Sequence, residues 1–408
     1  MSAPEKPEAA LSYAGFRFYW LARFLLVFAL QVLSVAIGWQ VYDKTGDPLL
    51  LGLVGLVQFV PAPVLVLVTG SVADRFNRRR IMAVCMAVEA LCAAGLSYLL
   101  HLDGGPMWAV FTVLTILGIA RAFMGPAVQS LLPNLVPAIA LPNAIALNSS
   151  SFQLATIVGP VVGGLVYGVS SQLAYGASVA LFMLAAVLTL QIPQPAQKSV
   201  PEPMTVDSLL AGFRYIRSQP VVLGALSLDL VAVLLGGTVA LLPVFARDIL
   251  DAGPWGLGAL RSAAGVGALI MSVWLIRFPV SDHAGRAMFA SVAIYGVSIV
   301  LFGFSQNLWL SCLALAIMGA ADMVSVFIRQ TLIQLKTPDD VRGRVSAINM
   351  TFIGASNELG QFRAGAMASG VGAVAAVVVG GVGAVATAVL WARLFPELRQ
   401  VRHLDRVT

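Results

Sequence analysis

Stretches of about twenty apolar residues recur twelve times along this 408-residue chain, each ended by a short polar, proline or glycine break. Nothing else in the sequence limits the fold as strongly, because about twenty such residues in a helix cross the hydrocarbon core of a bilayer. In the first half the stretches fall near 18–42, 49–72, 81–100, 107–131, 144–168 and 172–192. In the second half they fall near 220–246, 254–277, 287–305, 307–331, 345–368 and 370–393. Charged residues make up only 11% of the chain and the mean hydropathy is +0.89, whereas a soluble domain carries roughly 25% charge. The expected fold is therefore an all-α integral membrane protein with the bilayer as its main solvent.

The positive residues set its orientation. Eighteen of the 25 Lys and Arg fall in segments that share a side with the N-terminus, and only Lys44 and Arg247 fall in the opposite loops. Lys and Arg accumulate in cytoplasmic loops, so both termini are expected in the cytoplasm. The same dispersal argues against nucleic acid as a partner, which would need a contiguous basic face. The N-terminal MSAPEKPEAALSYAGFRF lacks a short apolar core with a cleavage site, so no signal peptide is expected.

Between the halves lies QIPQPAQKSVPEPMTVD, the one polar, proline-rich linker. It divides the chain into an N-terminal six-helix bundle (1–192), a cytoplasmic linker (193–209) and a C-terminal six-helix bundle with a tail (210–408). A shift of 201 positions brings Gly118 onto Gly319, Gln129 onto Gln330, Pro137 onto Pro338, Asn148 onto Asn349 and Gly159 onto Gly360. GFR also recurs at Gly15 and Gly212. Two pseudo-symmetric halves place a substrate path along their shared axis.

The loop GSVADRFNRRR carries an acid among arginines, an arrangement able to latch helix ends by charge-assisted hydrogen bonds. It resembles the Gly-x-x-x-Asp-Arg-x-Gly-Arg-Arg loop of the major facilitator superfamily at Gly70, Asp74, Arg75, Arg78 and Arg79. Asn77 stands where that pattern has Gly, and Asn tolerates the left-handed conformation that Gly would supply. The second-half counterpart, RFPVSDHAGR, keeps only Asp282, Gly285 and Arg286. TPDDVRGRVSAIN and NELGQFRAGAMASG are similar to the branch of the superfamily that contains the enterobactin exporter and macrolide-efflux-like proton antiporters. The resemblance runs from Gly15 to Arg399. It implies a conformational latch at the first loop. Gly159, Pro160, Gly163 and Gly164 resemble the Gly-Pro-x-x-Gly-Gly element of proton-coupled exporters, and small residues there also let helices approach closely.

Ionisable residues within spans are expensive and become functional candidates. Asp229, Asp322 and Glu358 are the acids of interest, with Glu89 a weaker case because third helices of this fold lie at the periphery. Arg121 aligns with Asp322 under the shift and is expected to pair with it. Asp322 is placed past the midplane of its span. Arg23, Arg261 and Arg329, near span ends, read as snorkelling side chains, while Glu358 and Arg363, five apart, do not share a helix face. Phe28, Gln31, Trp39, Phe123, Gln153 and Phe352 are candidates to line a cavity for an amphipathic substrate.

Enzymatic chemistry finds no support. The histidines His101, His283 and His403 lie near segment ends, Cys85, Cys92 and Cys312 have no metal or disulfide spacing, and no Walker A loop occurs. No metal or cofactor is expected. The leading expectation is a monomeric secondary transporter of the inner (plasma) membrane. It would exchange protons for an amphipathic small molecule, siderophore or drug-like, and export it by alternating access. Uptake or facilitated diffusion on the same fold, and a non-transporting membrane sensor, stay open.

Overall fold

The structure, a computed structural model, describes residues 9–101, 106–193, 206–280 and 282–402. Helices dominate and no strand occurs among the described residues. Among the described residues, ten helices are long and apolar enough to cross a membrane. Within hydrocarbon every backbone N–H and C=O needs an internal partner, and a helix supplies these partners within one segment.

In the first half the elements are α1 (Ala14–Thr45), α2 (Pro48–Phe59), α3 (Pro61–Val64), α4 (Val66–Arg75), α5 (Arg78–His101), α6 (Met107–Leu131), α7 (Leu141–Val169) and α8 (Ser171–Leu190). In the second half they are α9 (Val206–Ser218), α10 (Pro220–Gly236), α11 (Leu242–Val244), α12 (Gly253–Arg277), α13 (Ala284–Phe304), α14 (Leu308–Lys336), α15 (Asp339–Val371), α16 (Ala373–Leu394) and α17 (Pro396–Arg399). Two of the twelve expected spans are not among these ten. The stretch 49–72 is divided among α2, α3 and α4, because Pro61 and Pro63 each remove a backbone donor from the helical ladder. The stretch 345–368 lies within the 33-residue α15, whose Asn357, Glu358, Gln361 and Arg363 make it too polar to register as an apolar span. Together with the ten apolar helices these fill the twelve positions.

The seventh expected span, near 220–246, is interrupted. α10 stops at Gly236, and Gly237 follows in the left-handed region at φ +34°. A 3-10 turn at Thr238–Leu241, α11 and a π-helical turn at Phe245–Ile249 continue the chain. Such a break leaves carbonyls unpaired at membrane depth. Arg363 of α15 answers this: its Nε donates to Leu234 O at 3.1 Å and a terminal nitrogen donates to Leu235 O. A Cβ on Gly237 would lie 2.2 Å from Gly360 O, so the break and its neighbouring helix require glycine at this point.

The chain forms two compact units, Met1–Ile37 with Val60–Pro203, and Gly38–Phe59 with Met204–Thr408. The second takes in the C-terminal part of α1 and all of α2, which by sequence belong to the first half. Most of the expected linker lies outside the described residues, and the amphipathic α9 begins within its last part. The repeat appears at element level: α6 starts at 107 and α14 at 308, the same 201 apart as in the sequence match. Glycine packing repeats as well. A Cβ on Gly159 of α7 would press on Gln31 of α1 at 2.6 Å, and one on Gly360 of α15 on Val233 O of α10 at 2.8 Å.

Candidate functional site

Side chains on three helices of the second unit converge on a buried polar cluster. Asp322, Ser325 and Arg329 lie three and four residues apart along α14, which places them on one face. Opposite them, Asp229 of α10 accepts a hydrogen bond from Arg329, forming an ion pair whose partners are 5% and 2% exposed. The Asp322 carboxylate is within electrostatic reach of both Asp229 and Arg329. Tyr295 of α13 stands near both acids, its hydroxyl packed on Gly236. Asp229, Tyr295, Asp322 and Ser325 line a small cavity of about 10 Å³, close to the least that holds one water. The Arg329 Nε and the Ser325 hydroxyl have no hydrogen-bond partner. One guanidinium thus serves two carboxylates in a nearly closed space.

This arrangement corrects two expectations. Arg329 does not snorkel: α14 runs on to Lys336, five residues beyond the expected end at 331, so Arg329 lies well inside the helix. For the same reason Asp322 is the fifteenth of 29 residues and sits at mid-helix rather than past the midplane. Asp322 also finds its charged neighbours within its own unit, as does Arg121, whose charge acts on Glu89.

The third expected acid, Glu358 of α15, is half-buried. It accepts a hydrogen bond from Gln361 at 3.3 Å and packs so closely on Gly55 of α2 that a Cβ there would lie 2.3 Å from its oxygen. The charge of Arg261 on α12 acts on it, and a guanidinium nitrogen of Arg261 lies 3.3 Å from a Cβ built on Gly38. Arg261 therefore points into the unit rather than to an interface. Glu358 and Arg363 turn to different partners, as their spacing implies.

The loop expected to act as a latch is anchored by its arginines. Arg78 donates from Nε to Ala73 O at 3.3 Å and from a terminal nitrogen to Ser130 O at 3.0 Å, while Arg79 donates to Ile192 O at 2.6 Å. Ser130 lies in the last turn of α6 and Ile192 just past α8, where carbonyls lack helical partners and the helix dipole favours cations. Asn77 is not among the residues with positive φ. Its side chain instead accepts from the backbone N–H of Arg79 and Arg80 at 3.0 and 3.3 Å, capping the start of α5. Arg75 is exposed, and a Cβ on Gly70 would meet nothing within 4 Å. The Asp74 side chain lies outside the described residues.

In the first unit, Gly159 and Gly163 form the close contact of α7 with α1. A Cβ on Gly163 would lie 3.0 Å from Val32 Cα, and Pro160 between them is buried, as is Gly164. Gln31 packs on Gly159 and Phe28 lies 5.8 Å from Phe24, ring to ring. All six cavity candidates are half-buried; Phe28, Gln31, Phe123 and Gln153 belong to the first unit, and Trp39 and Phe352 to the second. Arg23 lies over the Phe152 ring at 5.9 Å and keeps a buried Nε without a hydrogen bond, so it too is drawn inward. The residue most underrated from sequence is Glu89, which is fully buried. Peripheral placement of a third helix does not expose every face of it, and the single acid in an otherwise apolar run was the available signal.

Twelve spanning positions, a two-fold internal repeat and charges buried at membrane depth define a membrane transporter of the major facilitator type. The family model for transmembrane secretion effectors matches residues 6–407, and the chain belongs to that family. It is 27% identical over 375 residues to the enterobactin exporter EntS of Shigella boydii serotype 4 (strain Sb227), covering 89% of this chain and 86% of that protein. The same figures hold for EntS of Escherichia coli O81 (strain ED1a). Among solved structures, the nucleoside transporter NupG matches with a TM-score of 0.71 at 15% identity, over 93% of this chain and 99% of that one. A bacterial homologue of the lysosomal transporter Spinster, inward-facing and occupied, matches with a TM-score of 0.71 at 13% identity, over 97% of each chain.

Proposed function

We infer that this transporter is a proton-coupled exporter of an amphipathic small molecule, siderophore or drug-like, working by alternating access in the inner membrane with both termini in the cytoplasm. The observation that carries the coupling is the Asp229–Arg329–Asp322 cluster. Two carboxylates facing one guanidinium in a low-dielectric space repel each other when both are ionised, and a single proton relieves the repulsion. Substrate binding or movement of α10 against α14 alters that balance, which is what exchange of a proton requires. Export as the direction is favoured by the similarity to EntS and by the Gly159-Pro160 packing element. Termini on the cytoplasmic side follow from the charge asymmetry of the loops.

Purified protein in vesicles, loaded with a candidate siderophore or lipophilic dye, tests this reading. Imposing a proton gradient of the right sign should drive substrate uphill, and collapsing it with a protonophore should stop that movement. Uphill transport that ignores the proton gradient would remove the coupling, and transport only down the substrate gradient would make the protein a facilitator.

A further inference from the structure

One buried acid belongs neither to the proposed coupling cluster nor to the latch. Glu89 is the twelfth of 24 residues in α5, so at 1.5 Å per residue it lies about 17 Å along a helix about 36 Å long. That is the middle of the helix. It is 0% exposed, and neither carboxyl oxygen has a hydrogen-bond partner.

The titratable groups on its own and the neighbouring helices are few. Arg23 on α1 and Arg121 on α6 act on Glu89 electrostatically, yet neither donates a hydrogen bond to it. Tyr19 of α1 is near Arg23 and donates its hydroxyl to Val128 O at 3.2 Å. On α8 the Tyr175 hydroxyl is buried without a partner, and His101 at the end of α5 lies edge-on to its ring. Cys85 and Cys92 flank Glu89 on α5 itself, and α4 brings Asp74 and Arg75 to the chain just before α5. Apart from Asp74, no second acid occurs in the first-unit helices among the described residues.

An ionised carboxylate that accepts no hydrogen bond, in an interior that water does not reach, is a costly species. Two arginines act on it by charge, yet its oxygens are left bare. The neutral acid removes that conflict, since only a hydroxyl and a carbonyl then lack partners. We propose that Glu89 is a proton-binding site of the first unit, occupied in the arrangement seen here, which turns to Arg23 or Arg121 for hydrogen bonds when the proton leaves. Binding joins one proton to one carboxylate oxygen and changes the net charge of the Arg23–Arg121–Glu89 set from one positive to two. The inference is independent of the role given to Asp322 and holds whichever ion drives export.

The full chain in lipid vesicles, studied by infrared difference spectroscopy between acid and alkaline pH, tests this directly. A carboxylic C=O band that shifts in D2O is expected to be shared by the parent protein and Asp322→Asn, and that band should be lost in Glu89→Gln, where any band of the Asp322 cluster stays. A spectrum unchanged by Glu89→Gln overturns the proposal. Should Glu89→Gln fail to fold, the parent protein still decides. Dicyclohexylcarbodiimide modifies protonated carboxyls in apolar surroundings, and mass spectrometry should find it on the Glu89 peptide, with labelling lost as pH rises. No label on that peptide at any pH where the protein stays folded would show a permanently ionised structural partner of the arginines, and the proposal would fail.

Discussion

Asp229 and Arg329 lie one hundred residues apart and meet inside the second unit. Removing one partner of a buried pair leaves a lone charge and destabilises a protein by about 3–5 kcal/mol, whereas replacing both by apolar residues is often neutral. Asp229→Asn should therefore lower the unfolding temperature sharply, and Asp229→Asn with Arg329→Met should recover most of the loss, as measured by thermal unfolding in detergent. Equal destabilisation in the single and double variants would mean that the pair is not the source. Asp322 differs, because its carboxylate shares Arg329 rather than owning it. Asp322→Asn should keep the fold and abolish proton-driven accumulation while sparing substrate exchange down its own gradient. Vesicle counterflow measured beside gradient-driven uptake separates the two, and gradient-driven transport at the parent rate would exclude Asp322 as the proton carrier.

At the scale of helices, close packing is set by glycines one turn apart. A Cβ on Gly159 would overlap Gln31 Cβ, at the root of a side chain that cannot swing aside. Overpacking of this kind costs about 1–3 kcal/mol, so Gly159→Ala should destabilise the protein. Gly70→Ala should stay within ~0.5 kcal/mol, since a Cβ there meets nothing within 4 Å. Denaturation of the two variants side by side checks the contrast. The glycine spacing in IVGPVVGG was legible in the sequence because small residues in a span have few other uses. The element boundaries that mattered were less so. Nothing in the run from 220 to 246 separates the glycine pair at 236 and 237 from an ordinary helical pair, and the break is fixed by Arg363 and Gly360 more than a hundred residues away. Arg329 and Asp322 were displaced in the same way, by five further residues of helix that hydropathy alone does not reveal. Glu89 was undervalued because burial of a helix face depends on its neighbours, not on its own sequence.

At the scale of the whole molecule, the segment Gly38–Phe59 is the one that the proposed alternating access would have to move. By sequence it belongs to the first half, yet it packs within the second unit. Gly52 meets the backbone of Phe362 on α15, where a Cβ would approach to 2.9 Å, and a Cβ on Gly365 would lie 3.0 Å from Gly52 N. At the end of α1, Tyr42 donates its hydroxyl to Asp248, Arg247 pairs with Asp43 at 3.3 Å, and the same guanidinium lies 5.7 Å from the Tyr42 ring centre. The Arg247–Asp43 pair is half-exposed, and such pairs contribute about 0–1 kcal/mol, weak enough to open readily. The proposed mechanism requires this segment to leave its setting and return. A variant with cysteines at Asp43 and Arg247, made after replacing Cys85, Cys92 and Cys312, should be held in this arrangement by a short, reducible thiol cross-linker. Transport in vesicles should stop on cross-linking and return with reductant, while either single-cysteine variant treated alike keeps most of its rate. A fully cross-linked protein that transports at the uncross-linked rate would mean that the segment stays in place, and substrate would have to cross by a path that does not separate α1 and α2 from the second-half helices.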